Sequence, residues 1–383
     1  MSLSTYLCRL TYLTTRTHIA NAHSASSRAR DMEWRTVAVI VLVVSLCFFI
    51  VPIKVGPDKT VEDAKLFADY IARYNKTYRN DSTEYKERFD NFQKSLRHIE
   101  RLNGLRSSQE SAYYGLTEFS DLSEDEFLQQ TLLPDLSLRG QKHTTASYYH
   151  QHSVNSVDRM KRMIGIPSKF DWRDRGVVGP VVNQESCGAC WAFSTIGVAE
   201  SMYAIRNGTL YSFSVQEMID CMPGNYGCQG GDICSLLSWL LASKTKIISE
   251  NDYPLTRRTD LCRLSKITAK TSGIKITDFT CDSFIDAETE LLTLLTHGPV
   301  AAAVNAISWQ NYLGGVIQYH CDGSFNSLNH AIQIVGYDMR ASIPHYIIKN
   351  SWGSSFGDKG YIYIAVGKNL CGIANQVSSL DVI

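Results

Sequence analysis

Residues 184–193 read Gln-Glu-Ser-Cys-Gly-Ala-Cys-Trp-Ala-Phe, with two cysteines three residues apart ahead of an apolar run. Residues 191–205 are apolar at helical spacing, lack proline and contain glycine only at Gly197, so a buried helix beginning near Cys190 is expected. A thiol at a helix N-terminus meets unpaired backbone N–H groups and the positive end of the helix dipole, both of which favour the thiolate. Cys190 is the candidate nucleophile on that ground. Such a nucleophile needs a base, a group to orient the base, and donors for the oxyanion that forms. His330 opens an apolar stretch, 331–337, where a lone imidazole is costly unless it is used or hydrogen-bonded. Asn350 ends the next such stretch, where its carboxamide can accept an imidazole N–H. Gln184 can aim its side-chain NH₂ at an oxyanion together with the backbone N–H of Cys190. Each of these residues also has an ordinary structural reading, such as a strand-edge histidine or a turn asparagine. Cys187-Gly-Ala-Cys190 fits a redox dithiol or half a zinc site as well. No second ligand pair at short spacing completes a zinc site, and the βαβ surroundings of a thioredoxin-like site are missing. Nucleophilic hydrolysis leads, with thiol–disulfide exchange as the alternative.

These residues must be positioned by the region from Ile166 to Ile383, where composition shifts to alternating apolar stretches, aromatic residues, glycines and cysteines. Strands are expected at 274–279, 300–304, 331–337, 346–349 and 361–366. A tight turn at 227–231 precedes an expected helix at 236–242. Upstream, residues 60–103 are charged and helical in period. Within them Glu84, Arg88, Phe92, Ser95, Ile99 and Asn103 share one helix side. A short strand and turn at 114–121 leads to a helix capped at Asp121 or Ser123, with a capping box from Ser123 to Glu126. Residues 134–165 are polar, without periodicity, and read as a flexible linker open to proteolysis. Its histidines, His143, His150 and His152, have no cysteine or acidic companions, so no metal site is expected.

The 383 residues carry 38 basic and 38 acidic side chains, so charge favours neither nucleic acid nor an anionic membrane as partner. Eleven cysteines point to an oxidising folding compartment, and their odd number leaves at least one unpaired within the chain. A polar leader with Arg28, Arg30 and Arg35 precedes an uncharged apolar run at 37–51. That run is shorter than the roughly 18–20 residues a membrane span needs, so a cleaved signal peptide is expected ahead of an uncleaved signal anchor. If translation starts at Met32, the segment 32–35 becomes a compact basic n-region; native peptides from upstream of Met32 would exclude that start.

From the leader onward, the sequence resembles the papain-like cysteine peptidases, the cysteine cathepsins. Cys187-Gly-Ala-Cys-Trp191 with His330 and Asn350 far downstream is the family's signature. The resemblance implies an α+β, two-lobed fold: a helical left lobe, a β-barrel-like right lobe and an N-terminal helical inhibitory propeptide. It implies Cys190 as nucleophile, His330 as general acid/base, Asn350 as its orienter and Gln184 as oxyanion donor, with Trp352 shielding the His–Asn bond. It pairs Cys187 with Cys228, Cys221 with Cys262 and Cys321 with Cys371, leaving Cys190 free. Cys234 and Cys281 have no counterpart and are expected as small buried hydrophobes rather than a fourth bridge. Gly230 and Gly231 would bond substrate backbone, and Ile233, Ala303, Leu328 and Gln376 would line the S2 pocket. The propeptide motifs match with Ser95 and Thr117 where asparagine is usual. Phe356 stands in place of a usual tryptophan, and Glu185 in place of a common glycine.

The organisation implied is 1–55 signal peptide or anchor with its leader, 56–165 propeptide and linker, and 166–383 peptidase domain, with maturation near Gly165–Ile166. The function implied is a lysosomal cysteine endopeptidase made as a proenzyme, since no long insertion with paired histidines, an exopeptidase feature, lies between Gly231 and Cys262. A catalytically weak papain-fold binding protein, or a thiol–disulfide oxidoreductase, is the alternative. Expected partners are protein and peptide substrates, the chain's own propeptide and cystatin-type inhibitors. Nucleic acid, a membrane for the mature enzyme, metals and cofactors are not expected, and the enzyme should be a monomer. Asn75, Asn80 and Asn207 head glycosylation sequons.

Overall fold

The hydrophobic spacing upstream of the linker resolves into helices α1 (Lys59–Arg73), α2 (Thr83–Gly104) and α3 (Glu124–Thr131). The computed structural model describes residues 59–79, 82–133, 150–151, 165–267, 273–319 and 321–383; the leader, the apolar run, Asn80, His143 and His152 lie outside them. The chain divides into two units, 1–63 and 64–383. Of the first, only the opening turn of α1 is described; everything below concerns the second.

Phe67, Tyr70 and Phe92 form the buried centre of the upstream helices, with Phe67 and Phe92 ring centroids 5.1 Å apart. The shared side of α2 makes the contacts its spacing predicts. Arg88 pairs with Glu126 at 2.8 Å, and Asn103 exchanges hydrogen bonds with the backbone of Tyr114. Ser123 caps α3, with Glu126 returning the bond to complete a capping box. Asp121 is buried and accepts from the Tyr70 and Tyr78 hydroxyls and from Lys76.

Downstream, α4 (Cys190–Asn207), α5 (Val215–Cys221) and α6 (Ile233–Ser243) pack into one hydrophobic core. A second core lies on a nine-stranded mixed sheet whose centre is His330–Asp338, flanked by Val300–Val304 and His345–Lys349, with Tyr361–Ala365 beyond. Helix α7 (Glu288–Leu295) packs on that side. Helices in one lobe and sheet in the other give the papain-like α+β arrangement. Gly197 is explained at the seam: a methyl group there would meet Gln333 Oε1 at 2.8 Å, and Gln333 donates to the Gly197 carbonyl across the lobes.

The cysteines correct one expectation. Disulfides join Cys187–Cys228, Cys221–Cys262 and Cys321–Cys371, and a fourth joins Cys234 to Cys281. Cys234 and Cys281 are not free buried hydrophobes; they are 47 residues apart in sequence, and only folding brings their Cα atoms to 6.1 Å, within bridging range. Among the described cysteines, Cys190 alone is free.

The aromatic centre of the upstream helices sets their hold on the rest. Phe92→Ala should destabilise them by about 3 kcal/mol, read as lost amide protection in α1 and α2 by hydrogen exchange; protection equal to wild type would contradict this packing.

Candidate active site

Helix α4 begins at Cys190 with no capping side chain, because its N-cap residue is Ala189. Its first N–H groups are thereby left to the sulfur. The backbone N–H groups of Cys190 and Trp191, and of Ala331 from the central strand, favour the thiolate. The helix runs without an acidic residue in its first turn and stops at Gly208, whose φ of 73° suits glycine.

His330 is the first residue of the central strand, opposite Val304. Its Nε2–H donates to Asn350 Oδ1 at 2.7 Å, which leaves Nδ1 as the acceptor; Nδ1 is buried and has no partner. Trp352 lies against the imidazole with ring centroids 4.8 Å apart, and Trp309 stands edge-on at 6.1 Å. All five side chains, Cys190 included, are buried.

The Gln184 carboxamide is fixed on three sides. Its Oε1 accepts from Ser351 Oγ at 2.5 Å, and its Nε2 donates to the Cys187 carbonyl at 3.1 Å and to the Thr131 carbonyl at 2.9 Å. The next residue, Glu185, has a φ of 56°, a conformation that explains why glycine suits this position; Arg257 pairs with it at 3.4 Å.

Thr131 ends α3, so a segment from the upstream region reaches the cleft. Leu132 is buried in the sheet-side core and Leu133 in the helix-side core. Leu133 donates its N–H to the Asn329 carbonyl at 2.6 Å and sits with Trp191, Gly231, Ile233, Ala303, Leu328 and Gln376 around a remnant cavity of about 10 Å³. The structure thus brings four predicted S2 residues and Gly231 together. Gly231 must be glycine, since a methyl group would meet Trp191 at 2.6 Å. Gly230 differs: its N–H and C=O are both engaged within its own turn, with Gly227 and Tyr226. Phe119 and Phe127 pack edge-on against Trp352 at 5.6 and 5.5 Å. Asn75 and Asn207 are exposed. No group of three or more His, Cys, Asp or Glu suited to a metal occurs among the described residues.

Covering the cleft reverses the electrostatics expected of the helix terminus. Burial pushes the Cys190 thiol up to about 12, outweighing the nearby N–H groups, and pushes His330 down to about 4, outweighing the bond to Asn350. The covered pair is therefore a neutral thiol and a neutral imidazole.

Sequence reasoning missed Thr131, Leu133, Ser351 and the Phe119–Phe127 pair. The only signal for the first two was an apolar Leu132-Leu133 step between a capped helix and a polar linker.

A two-lobed cysteine peptidase carried with its own inhibitory segment is the class these features define. Residues 166–380 match the papain family cysteine protease, and residues 67–127 match the cathepsin propeptide inhibitor domain (I29). The chain belongs to the papain family of cysteine proteases. It is similar to Cathepsin O of Homo sapiens, 40% identical over 76% of this chain and 87% of that protein, and to Cathepsin O of Mus musculus, 38% identical over 75% and 88%. Among solved structures, digestive procathepsin L2 from Tenebrio molitor larval midgut is 30% identical with a TM-score of 0.67, covering 83% of this chain and 99% of that one. A recombinant stem bromelain precursor is 29% identical with a TM-score of 0.69, covering 84% and 99%.

His330 gives a pH dependence of known sign. It ionises near 6.5 in an unfolded chain but only near 4 in the covered cleft, so the unfolded form binds more protons between those values. Stability is full above about 6.5 and falls by about 3 kcal/mol as pH drops toward 4. Denaturant unfolding of a Cys190→Ser proform should show that loss, and a Cys190→Ser/His330→Phe proform should lack this share of it; identical slopes would refute the assignment.

Proposed function

We propose that the mature chain is a cysteine endopeptidase of an acidic endolysosomal compartment, and that residues 56–165 hold it inactive until cleavage near Gly165–Ile166. The observation that carries this reading is the buried His330–Asn350 hydrogen bond beside the uncapped start of α4, with the Gln184 carboxamide pinned by Ser351 and Cys187.

When the inhibitory segment leaves, water and substrate re-solvate the pair, and the Cys190 proton passes to Nδ1 of His330 to give thiolate and imidazolium. Sγ then attacks the peptide carbonyl carbon. The Gln184 NH₂ that now meets Thr131, together with the Cys190 N–H, stabilises the oxyanion. His330 gives its proton to the departing amine, leaving a thioester, and then acts as base for the water that hydrolyses it. Asn350 holds the ring throughout, and Trp352 keeps water from that bond.

The inhibitory segment escapes this chemistry through its direction. In a substrate, the residue filling the S2 pocket precedes the attacked carbonyl; here Leu133 follows Thr131, so the chain runs the opposite way through the cleft. The apolar pocket that takes Leu133 supports an apolar P2 preference, with the Gln376 carboxamide allowing polar groups. Absence of a paired-histidine insertion supports endopeptidase action. Four disulfides and the exposed sequons Asn75 and Asn207 support folding in the secretory pathway behind a cleaved signal peptide, with glycosylation there and at Asn80. The mature enzyme is a monomer, open to cystatin-type inhibitors that enter the cleft. An intact nucleophile, base, orienter and oxyanion donor argue against a binding protein, and the Cys187–Cys228 disulfide argues against a dithiol oxidoreductase.

Acid-activated protein should be labelled at Cys190 by an epoxide class inhibitor and should cleave a peptide library, whereas Cys190→Ala should do neither; wild-type protein that is unlabelled and cuts nothing would overturn the reading. Gln184→Ala should lower kcat by about 10²- to 10³-fold with little change in KM, measured on one fluorogenic peptide. A loss confined to KM would remove Gln184 from the oxyanion role.

A further inference from the structure

The fourth disulfide lies behind the pocket that Leu133 fills. Cys234 is in the first turn of α6, whose residues Ile233, Leu236, Leu237 and Leu240 belong to the helix-side core. Cys281 immediately precedes Asp282, which pairs with Val377 in the nine-stranded sheet, and Val377 belongs to the other core. Two residues before Cys281, Phe279 packs on the helix-side core, so Cys281 lies where the chain passes from one core to the other, and the bond anchors α6 to that seam. Beside Cys234 sits Gln376, a lining residue of the pocket, whose carbonyl accepts from the Ala303 N–H at 3.0 Å. The Gln376 side chain reaches back across the seam: Nε2 donates to Asp232 Oδ2 at 2.8 Å and lies 3.4 Å from Cys234 Sγ. Ser378 Oγ completes the contact, 3.4 Å from one sulfur and 3.3 Å from the other. Asp232 is committed twice, since its Oδ1 also caps α6 through the Ser235 N–H at 2.7 Å.

We propose that the Cys234–Cys281 disulfide and Asp232 are positioning groups for substrate selection: they lock the Gln376 carboxamide and the spacing of the two lobes at the pocket, and so set its size and polarity. The proposal rests on the peptidase reading above. The physical reason is that the pocket has walls from both lobes, Trp191 and Ile233 on one side and Ala303 and Leu328 on the other. Its width follows any relative movement of the two cores. A hydrogen bond alone yields to such movement, whereas a covalent link behind the wall does not. A pocket of fixed width can discriminate side chains that differ by a few carbons; a breathing one loses that discrimination.

The test uses the full proform, activated in acid, as wild type, as Cys234→Ser/Cys281→Ser, and as Asp232→Ser. Serine caps a helix as well as aspartate does but is too short to reach Gln376, so the second variant keeps α6 and the disulfide while removing the bond to Gln376. Peptides identical except for Leu, Val or Phe at P2 are compared by kcat and KM separately. In both variants the Leu to Phe ratio of kcat/KM should fall by about 3- to 10-fold, carried by KM. The melting temperature should fall mainly in the double variant. Lower melting temperature with wild-type ratios would make the disulfide a stabiliser only and overturn the proposal. If the double variant does not fold, unchanged ratios in Asp232→Ser overturn it alone. Wild-type protein that cleaves none of the peptides would bring down the peptidase reading and this proposal with it, whereas wild-type cleavage with unchanged variant ratios sinks only the latter.

Discussion

A thiol and an imidazole are buried where two hydrophobic cores meet, and burial disfavours the charged form of each. That desolvation is the constraint on which the remaining structure depends. It outweighs the backbone N–H groups near Cys190 and one side-chain bond to His330. The covering segment achieves this by placing Leu132 in one core and Leu133 in the other, with the Thr131 carbonyl against Gln184. The same three residues thus span both cores and engage the Gln184 carboxamide.

Because the site lies on the seam, its geometry is only as good as the registration of the lobes. Several polar contacts cross or flank that seam. Gln333 binds the Gly197 carbonyl of α4, Ser351 holds Gln184, and Asp232 holds Gln376. Each is buried or half-buried, where an unmet polar group costs more than a bond returns, so each resists sliding in a way apolar packing does not. The Cys234–Cys281 disulfide adds a covalent member to this set. The inhibitory helices reach the same seam through Phe119 and Phe127 on Trp352, the ring that covers the histidine.

Much of the fold was legible because it rests on local pattern. The run after Cys190 has helical period and no breaker, and the structure continues it to Asn207. The capping box at Ser123 and Glu126 is a three-residue signal and forms as written. The strands near 300, 331, 346 and 361 are apolar and β-branched or aromatic, and their ends shift by only a residue or so. Cys190, His330 and Asn350 were legible for a different reason: each alone has an ordinary structural reading, and the resemblance to the papain-like peptidases joined them into one set.

By itself, the sequence determined the helix that starts at Cys190, the strands that begin at His330 and lead to Asn350, and the propeptide helices with their caps. All of these depend on neighbours within a few turns or on residue types with little structural alternative. Tertiary structure alone decided the partner of Cys234, the contact between Gln376 and Asp232, the occupation of the pocket by Leu133, and the neutral state of the covered pair. Those depend on which surfaces meet, and a pattern along one strand of chain carries no record of what will be laid across it. The segment opened by Gln184 shows both. Its spacing named a thiol at a helix start, and only the chain folded over that thiol made it silent.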